Sequence, residues 1–367
     1  MTPPTRPLRS GFTTGAAAAA AAKAALQMLL TGQAPSRVTI TFLTGESTQI
    51  AVHRCRLTEP GTARCTVIKD AGDDPDVTHG AEIGARVTLE ARSGGNPIRI
   101  TGGRGVGVVT KPGLENPPGQ AAITRGPVTM ITNSLQELLA TRPADAGVHV
   151  EVFVPEGERL AKKTLNARLG IIGGLSILGT TGVVRPMSHE AYVATIEKAM
   201  DVARAAGLTH LVLTTGRRSE RFAQDRWPEL AEEAFIQIGD FFRAAMAAAA
   251  ARGFPSATLA VFFGKAVKMA QNVPHTHAAK SELTLKTLSR WTREQTGSRE
   301  LADRIAGSNT ARHAFDPLAE NAPRVIAHVA DRARQCAVGF AGGRVRVRCV
   351  IFDYEGSTAV DTDPDWD

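Results

Sequence analysis

The sequence predicts an α+β N-terminal domain followed by an α/β domain with a mostly parallel sheet. Three observations carry this. The first part of the chain holds short alternating runs, such as Val38–Phe42 and Val148–Val154, joined by irregular Gly-rich connections. From about residue 168, apolar strands alternate with long helical stretches, the rhythm of βαβ units. A length of 367 residues, at roughly 150 per domain, makes two domains the natural division. The expected domains are 1–167 and 168–367.

The elements follow in order. Thr13 and Thr14 precede the alanine run 16–22, so a capped helix is expected from about residue 14 to Leu30, stopping near Gly32. Its N-terminus offers free N–H groups to an anion. Strands are expected at 38–42, 49–52, 65–68, 85–89 and 98–100, a helix over 128–139 and a strand over 148–154. In the second half, a helix over 188–206 leads to a short apolar strand, 210–213, which opens into Thr214-Thr215-Gly216-Arg217. Another buried strand, 257–263, ends at Gly264-Lys265, and a last one spans 345–351. Ligands of parallel sheets sit beyond the strand C-termini, where both of these loops fall.

Composition narrows the function. The formal net charge is +7, which favours an acidic partner. It is divided evenly at the expected boundary: 18 basic and 14 acidic residues before it, 25 and 22 after it. With no basic arm, two Tyr and three Trp, the stacking platform of a nucleic-acid binder is scarce. No apolar span reaches membrane length, and Lys23 interrupts the alanine run, so no membrane or targeting segment is read and a cytoplasmic protein is expected. The cysteines 55, 65, 336 and 349 form no C-x-x-C and are expected as reduced thiols. Pairs 55–65 and 336–349 are conceivable but unmotivated. Whether the chain forms a homo-oligomer is open.

A P-loop at Gly264-Lys265 fails, because 259 is Leu and 266 is Ala, and a dinucleotide fingerprint from Gly103 fails at Val108. The loop Gly102–Gly107 still exposes backbone beside Arg104, with Lys111 close by. The densest chemistry is residues 69–82, where Lys69 precedes four aspartates, His79 and Glu82. The calcium-loop pattern does not fit it, so Asp73, Asp74 and His79 are read as general-base candidates, against the plain alternative of a solvated acidic turn. Lys162 and Lys163 can face carboxylates. Gly179-Thr180-Thr181-Gly182 is a second Gly-rich, hydroxyl-bearing loop. His275 and His277 lack a third ligand at suitable spacing, and no metal site is expected.

Several stretches together resemble the cobalt-precorrin-5B methyltransferase family of anaerobic cobalamin biosynthesis. They are SGFTTGAAAAAAAKAAL (10–26), VIKDAGDDPDVTHGAEI (67–83), GGRGVGVVTKPGL (102–114) and VPEGERLAKKTLNARLGIIGGLSILGTTGVVRP (154–186), extended by LTTGR (213–217), GDF (239–241) and GKAVKMA (264–270). The resemblance covers most of the chain to about residue 280. Phe12 stands where the family often has Tyr, Ala278 where Ser is common, and Ala17 where many members carry Cys, so no catalytic thiol is expected there.

The resemblance implies methyl transfer from S-adenosylmethionine to ring carbon C-1 of an anionic tetrapyrrole, with cobalt present only as part of that substrate. On this reading Asp73, Asp74 or His79 moves a proton on the macrocycle. Thr13, Thr14, Lys69, Arg104, Lys111, Lys162 and Lys163 meet its carboxylates. Gly179, Thr180, Thr181, Gly182, Thr214, Thr215 and Gly216 hold the cofactor. A phosphotransferase acting on a small acid and a non-catalytic tetrapyrrole carrier are the alternatives.

Overall fold

A computed structural model describes residues 8–91, 98–140, 146–277 and 281–366, so Ala278 lies outside the described residues. The chain divides into two compact units, Met1–Ser188 and His189–Asp367.

Unit 1 is α+β. It contains β1 (Gly11–Phe12), α1 (Thr14–Thr31), β2 (Arg37–Thr41), β3 (Ser47–Ala51), β4 (Arg54–Glu59), β5 (Thr62–Ile68), β6 (Glu82–Ala91), β7 (Ile98–Gly102), β8 (Val108–Val109), α2 (Arg125–Leu139), β9 (Ala146–Phe153), α3 (Gly157–Ala161), β10 (Ile171–Ile172) and β11 (Val183–Val184). Its main sheet runs β4-β5-β6-β9-β7, antiparallel except where β7 joins β9. Thr13 caps α1 by accepting from the Ala16 N–H, and Gly32 ends it in the left-handed region at φ 74°. The alanines at 16–22 are fully buried, and their small side chains let α1 lie close to α2 and to the sheet.

The division falls later than the expected 167/168. β10 pairs with β8, and β11 with β1, so residues 168–188 belong to unit 1. That moves the charge. Unit 1 carries 20 basic and 14 acidic residues and unit 2 carries 23 and 22, so +6 of the +7 resides in unit 1 rather than being evenly spread.

A second correction concerns the thiols. Cys55 and Cys65 are direct cross-strand partners on β4 and β5, Cα atoms 4.1 Å apart, and they are joined as a disulfide. The antiparallel register supplies the proximity that sequence spacing could not motivate. Cys336 and Cys349 are free, and burial raises the Cys349 thiol to about 12.

Unit 2 is α/β. It contains α4 (His189–Ala205), β12 (His210–Thr214), α5 (Arg217–Arg226), β13 (Phe235–Gln237), α6 (Phe242–Ala251), β14 (Ser256–Phe262), α7 (Phe263–Ala270), α8 (Ser281–Thr296), α9 (Arg299–Ala306), α10 (Ala311–Asn321), α11 (Pro323–Phe340), β15 (Arg346–Phe352) and β16 (Thr358–Asp361). The sheet order is β13-β12-β14-β15-β16, with the first four strands parallel and β16 antiparallel. The apolar runs of β12 and β14 are covered on both faces, as a parallel sheet requires. No helix of the described residues is long and apolar enough to cross a membrane.

Candidate active site

The acidic segment forms the loop between β5 and β6, and much of its charge is engaged in shaping it. Lys69 is 1% exposed and its Nζ lies 2.6 Å from Asp76 Oδ2, while Asp76 Oδ1 accepts from the Thr78 N–H and hydroxyl. Lys69 is therefore an internal anchor, and the expectation that it meets substrate is corrected. Asp70 grips the Arg9 guanidinium through both oxygens and accepts from the Gly72 N–H, which hold its carboxyl down at about 2 against the opposing effect of burial. Backbone crossings make this docking close. A Cβ on Gly72 would lie 2.0 Å from the Arg9 carbonyl oxygen, and one on Gly11 would lie 2.2 Å from the Ala71 carbonyl carbon.

The three catalytic candidates share this loop. Asp73 accepts from the Arg9 N–H at 2.6 Å, and Asp74 from the Met187 N–H at 2.9 Å. Met187 itself is 74% exposed at a positive φ of 55°. His79 is exposed, and its Nδ1 accepts from the Ala71 N–H at 3.1 Å. That contact takes the Nδ1 lone pair, so the neutral ring carries its proton on Nε2. His79 can donate a hydrogen bond outward but offers no free basic nitrogen. The base role expected of His79 would have to displace this backbone contact.

The first turn of α1 is likewise closed. Gly15 N–H donates to Leu178 O, and the Thr14 hydroxyl bonds the backbone of Ser176 and Leu178. Thr13 is engaged as the cap, and its side chain packs so near Gly179 that a Cβ there would meet its Oγ1 at 2.3 Å. Thr13 and Thr14 are structural, and the expected anion site is filled by the 176–182 loop. Gly182 is buried against Phe42 and Met130, whereas Thr180 and Thr181 are exposed. Lys111 packs across Gly170, and Arg104, Lys162 and Lys163 are exposed.

In unit 2 the sheet order reverses direction at β12, since β13 follows on one side and β14 on the other. The crevice outside this switch point is the general ligand position of open α/β sheets. Thr214 and Thr215-Gly216 sit at this edge as expected. The Thr214 side chain is fully buried, the Thr215 N–H donates to the Ser219 hydroxyl, and a Cβ on Gly216 would meet nothing within 4 Å. The Gly179–Gly182 loop lies in unit 1, so the two loops assigned to the cofactor belong to different units.

The same edge holds groups that the sequence reading did not assign. Asp240, just past β13, is ion-paired with Lys265 at the start of α7 and accepts from the Thr276 hydroxyl at 3.0 Å. Together these partners hold its carboxyl below the ordinary value, although burial, the largest single influence, pushes the other way. Tyr192 stacks on Phe241 at 4.9 Å, and His275 meets both Phe241 and His189. The GDF signature at 239–241 was the available signal. A groove of about 380 Å³ lined by Arg334, Arg344, Arg346 and Trp366 lies at the opposite edge, where β15 begins, away from these groups. Among the described residues, no group of three His, Cys, Asp or Glu is placed to hold a metal ion.

These features define a two-unit protein: a basic α+β unit, and an α/β unit whose mostly parallel sheet changes direction at β12. A family model described as CbiD matches residues 1–186, and that of the CbiD C-terminal domain matches 275–363. The chain belongs to the CbiD family. The cobalt-precorrin-5B C(1)-methyltransferase of Rubrobacter xylanophilus is 43% identical over 367 residues, covering 98% of this chain and 92% of its own. Its namesake in Geobacter sulfurreducens is 43% identical, covering 96% of this chain and 98% of its own. In Nitratidesulfovibrio vulgaris the figures are 42%, 95% and 92%. The crystal structure of the cobalamin biosynthesis protein (cbiD) from Archaeoglobus fulgidus is 30% identical, covers 70% of this chain and 78% of that one, and gives a TM-score of 0.39.

Proposed function

We propose that this chain is the enzyme that methylates ring carbon C-1 of cobalt-precorrin-5B with S-adenosylmethionine as donor. The observation that carries the reading is 42–43% identity, over nearly the whole chain, to proteins named for that reaction. The reading is of an enzyme, not of a carrier or a phosphotransferase.

The unit 2 crevice suits the cofactor. Gly216 leaves open space at the end of β12, and Asp240, Tyr192 and Phe241 stand at the same edge of the sheet. When bound, S-adenosylmethionine supplies a methyl group already activated on a sulfonium. The chain's task is then mainly alignment and exclusion of water, whose limit is roughly 7–11 kcal/mol. Asp73 and Asp74, each with one carboxylate oxygen held by a backbone N–H, are the groups that take a proton from the macrocycle. His79 orients a substrate acceptor through Nε2–H. Arg104, Lys111, Lys162 and Lys163 meet peripheral carboxylates.

Titration calorimetry with S-adenosylmethionine tests the cofactor, and saturable binding is expected. Incubation with authentic cobalt-precorrin-5B then adds the mass of one methyl group. No transfer from the bound cofactor sinks the enzyme reading, and substrate binding without cofactor binding identifies a carrier. In the same assay Asp73→Asn is expected to slow turnover while leaving cofactor affinity intact. Unchanged turnover removes Asp73 from the mechanism.

A further inference from the structure

We infer that the open face of the β8–β10 ribbon, flanked by Arg104, Lys162 and Lys163, seats a flat apolar macrocycle by its face and by the carboxylates on its rim. The identity of the occupant rests on the methyltransferase reading; the seat itself rests on the following geometry.

β8 and β10 pair antiparallel, Ile171 opposite Val109 and Ile172 opposite Val108. Alternation along each strand sends the two pairs to opposite faces. Val109 and Ile171 close one face, packed with Ala122 over Leu114 and Leu169. Val108 and Ile172 stand on the other, 40% and 55% exposed. Directly opposed residues place their Cβ atoms about 5 Å apart, so the two side chains form one apolar patch. Gly173, next along the chain, adds no side chain, and a Cβ there would meet nothing within 4 Å.

Backbone packing brings the segments that carry these cations next to the ribbon, and Ile171 N–H donates to Asn166 O, three residues past Lys163. A Cβ on Gly157 would lie 1.9 Å from Gly105 O, and one on Gly174 would lie 2.2 Å from the same atom. Arg104 therefore adjoins both the start of α3 and the strand leaving β10. α3 carries the chain about 7 Å onward, at 1.5 Å per residue, to Lys162 and Lys163. All three cations are exposed, and none has an acidic partner among the described residues. They belong to the unit that holds +6 of the +7 formal charge. An apolar patch alone would name no ligand. Joined to uncompensated cations it fits a ring that is apolar on its faces and anionic at its edge, and it does not fit a neutral or cationic partner.

The test uses the full chain and two cobalt corrins, cobyrinic acid with free carboxylates and its neutral heptamethyl ester, with binding read by equilibrium dialysis. Val108→Ser with Ile172→Ser should weaken both probes about tenfold. Lys162→Gln with Lys163→Gln should weaken the acid alone, roughly fivefold, and flatten its salt dependence. These sites are exposed, so thermal unfolding is expected to match wild type. Wild-type-like binding of the acid by both variants overturns the seat, as does absence of binding by the wild type. Methyl transfer measured in parallel separates the two proposals. Transfer with unchanged variant affinities refutes the seat and leaves the methyltransferase, while corrin binding lost in the variants with no transfer by wild type does the reverse.

Discussion

The acidic loop of unit 1 and the strand-end crevice of unit 2 are both dense in polar groups, and they are built by opposite routes. In the loop, polar groups make the structure: Lys69 holds Asp76, Arg9 holds Asp70, and backbone N–H groups of Arg9 and Met187 hold Asp73 and Asp74. In the crevice, the sheet makes the structure and the polar groups are delivered to its edge. Asp240 and Lys265 meet because β13 and β14 flank β12 in parallel. A dense charge motif is therefore first a lock in unit 1, whereas in unit 2 the sheet is built first and its strand ends then gather polar groups.

The largest effect should come from wedging the lock apart. Gly72→Ala combines a Cβ 2.0 Å from Arg9 O with a φ of 68°. Backbone clash and the left-handed conformation together cost roughly 3–4 kcal/mol. Hydrogen exchange should then show residues 9–12 and 70–82 losing protection, and native-like exchange there would break the comparison. Lys69→Met comes next. It strands the largely buried Asp76 carboxylate at a cost of about 3 kcal/mol, and adding Asp76→Asn should restore part of that. Chemical denaturation of the single and double variants measures both. An additive double variant would mean that the pair does not act as one lock.

Acid should separate the units. His210 in β12 is held down to about 4, by burial first and then by Arg348. The unfolded chain therefore takes up this proton first. The contribution is whole above pH 6.5 and is lost as pH falls toward 4, at a cost of about 3 kcal/mol. His275 and His328 are lowered as well, burial foremost. In unit 1, His149 shares that direction, while Asp70 keeps its contribution until pH falls from 3.8 toward about 2. Trp227, Trp291 and Trp366 all lie in unit 2, so tryptophan fluorescence reports that unit alone. Its melting midpoint should drop by several degrees between pH 7 and 4.5, and His210→Gln should flatten the profile. A midpoint indifferent to pH would remove His210 as the cause.

Local signals were legible in the sequence, and long-range pairings were not. Thr13 and Gly32 bound α1 where caps are expected, and Thr214-Thr215-Gly216 falls at a strand end because an apolar run opens into turn residues. The burial of Lys69 has no such signal, since a lysine beside four aspartates reads equally well as a solvated turn. The unit boundary was misplaced because β10 and β11 are two residues each and reveal themselves only by returning to β8 and β1. The Asp240–Lys265 pair spans 25 residues and the Asp240–Thr276 contact 36, distances that only the sheet order closes.

The smallest change in stability should come from Gly216→Ala, and it is the most direct probe of the contrast. The φ of 166° at Gly216 is extended backbone that any residue adopts, and a Cβ there would meet nothing within 4 Å. The fold therefore does not require this glycine, and stability should stay within about 0.5 kcal/mol of wild type. Gly72, by contrast, is required by the crossing with Arg9. A methyl at position 216 enters open space at the end of β12, so if the cofactor lies where proposed, S-adenosylmethionine affinity should fall about threefold or more while the tryptophan-monitored melt is unchanged. Equal affinity in calorimetry would mean that the open space at the end of β12 is not where the cofactor lies, and the strand-end crevice would lose its claim to be the part of unit 2 shaped by a ligand rather than by the fold.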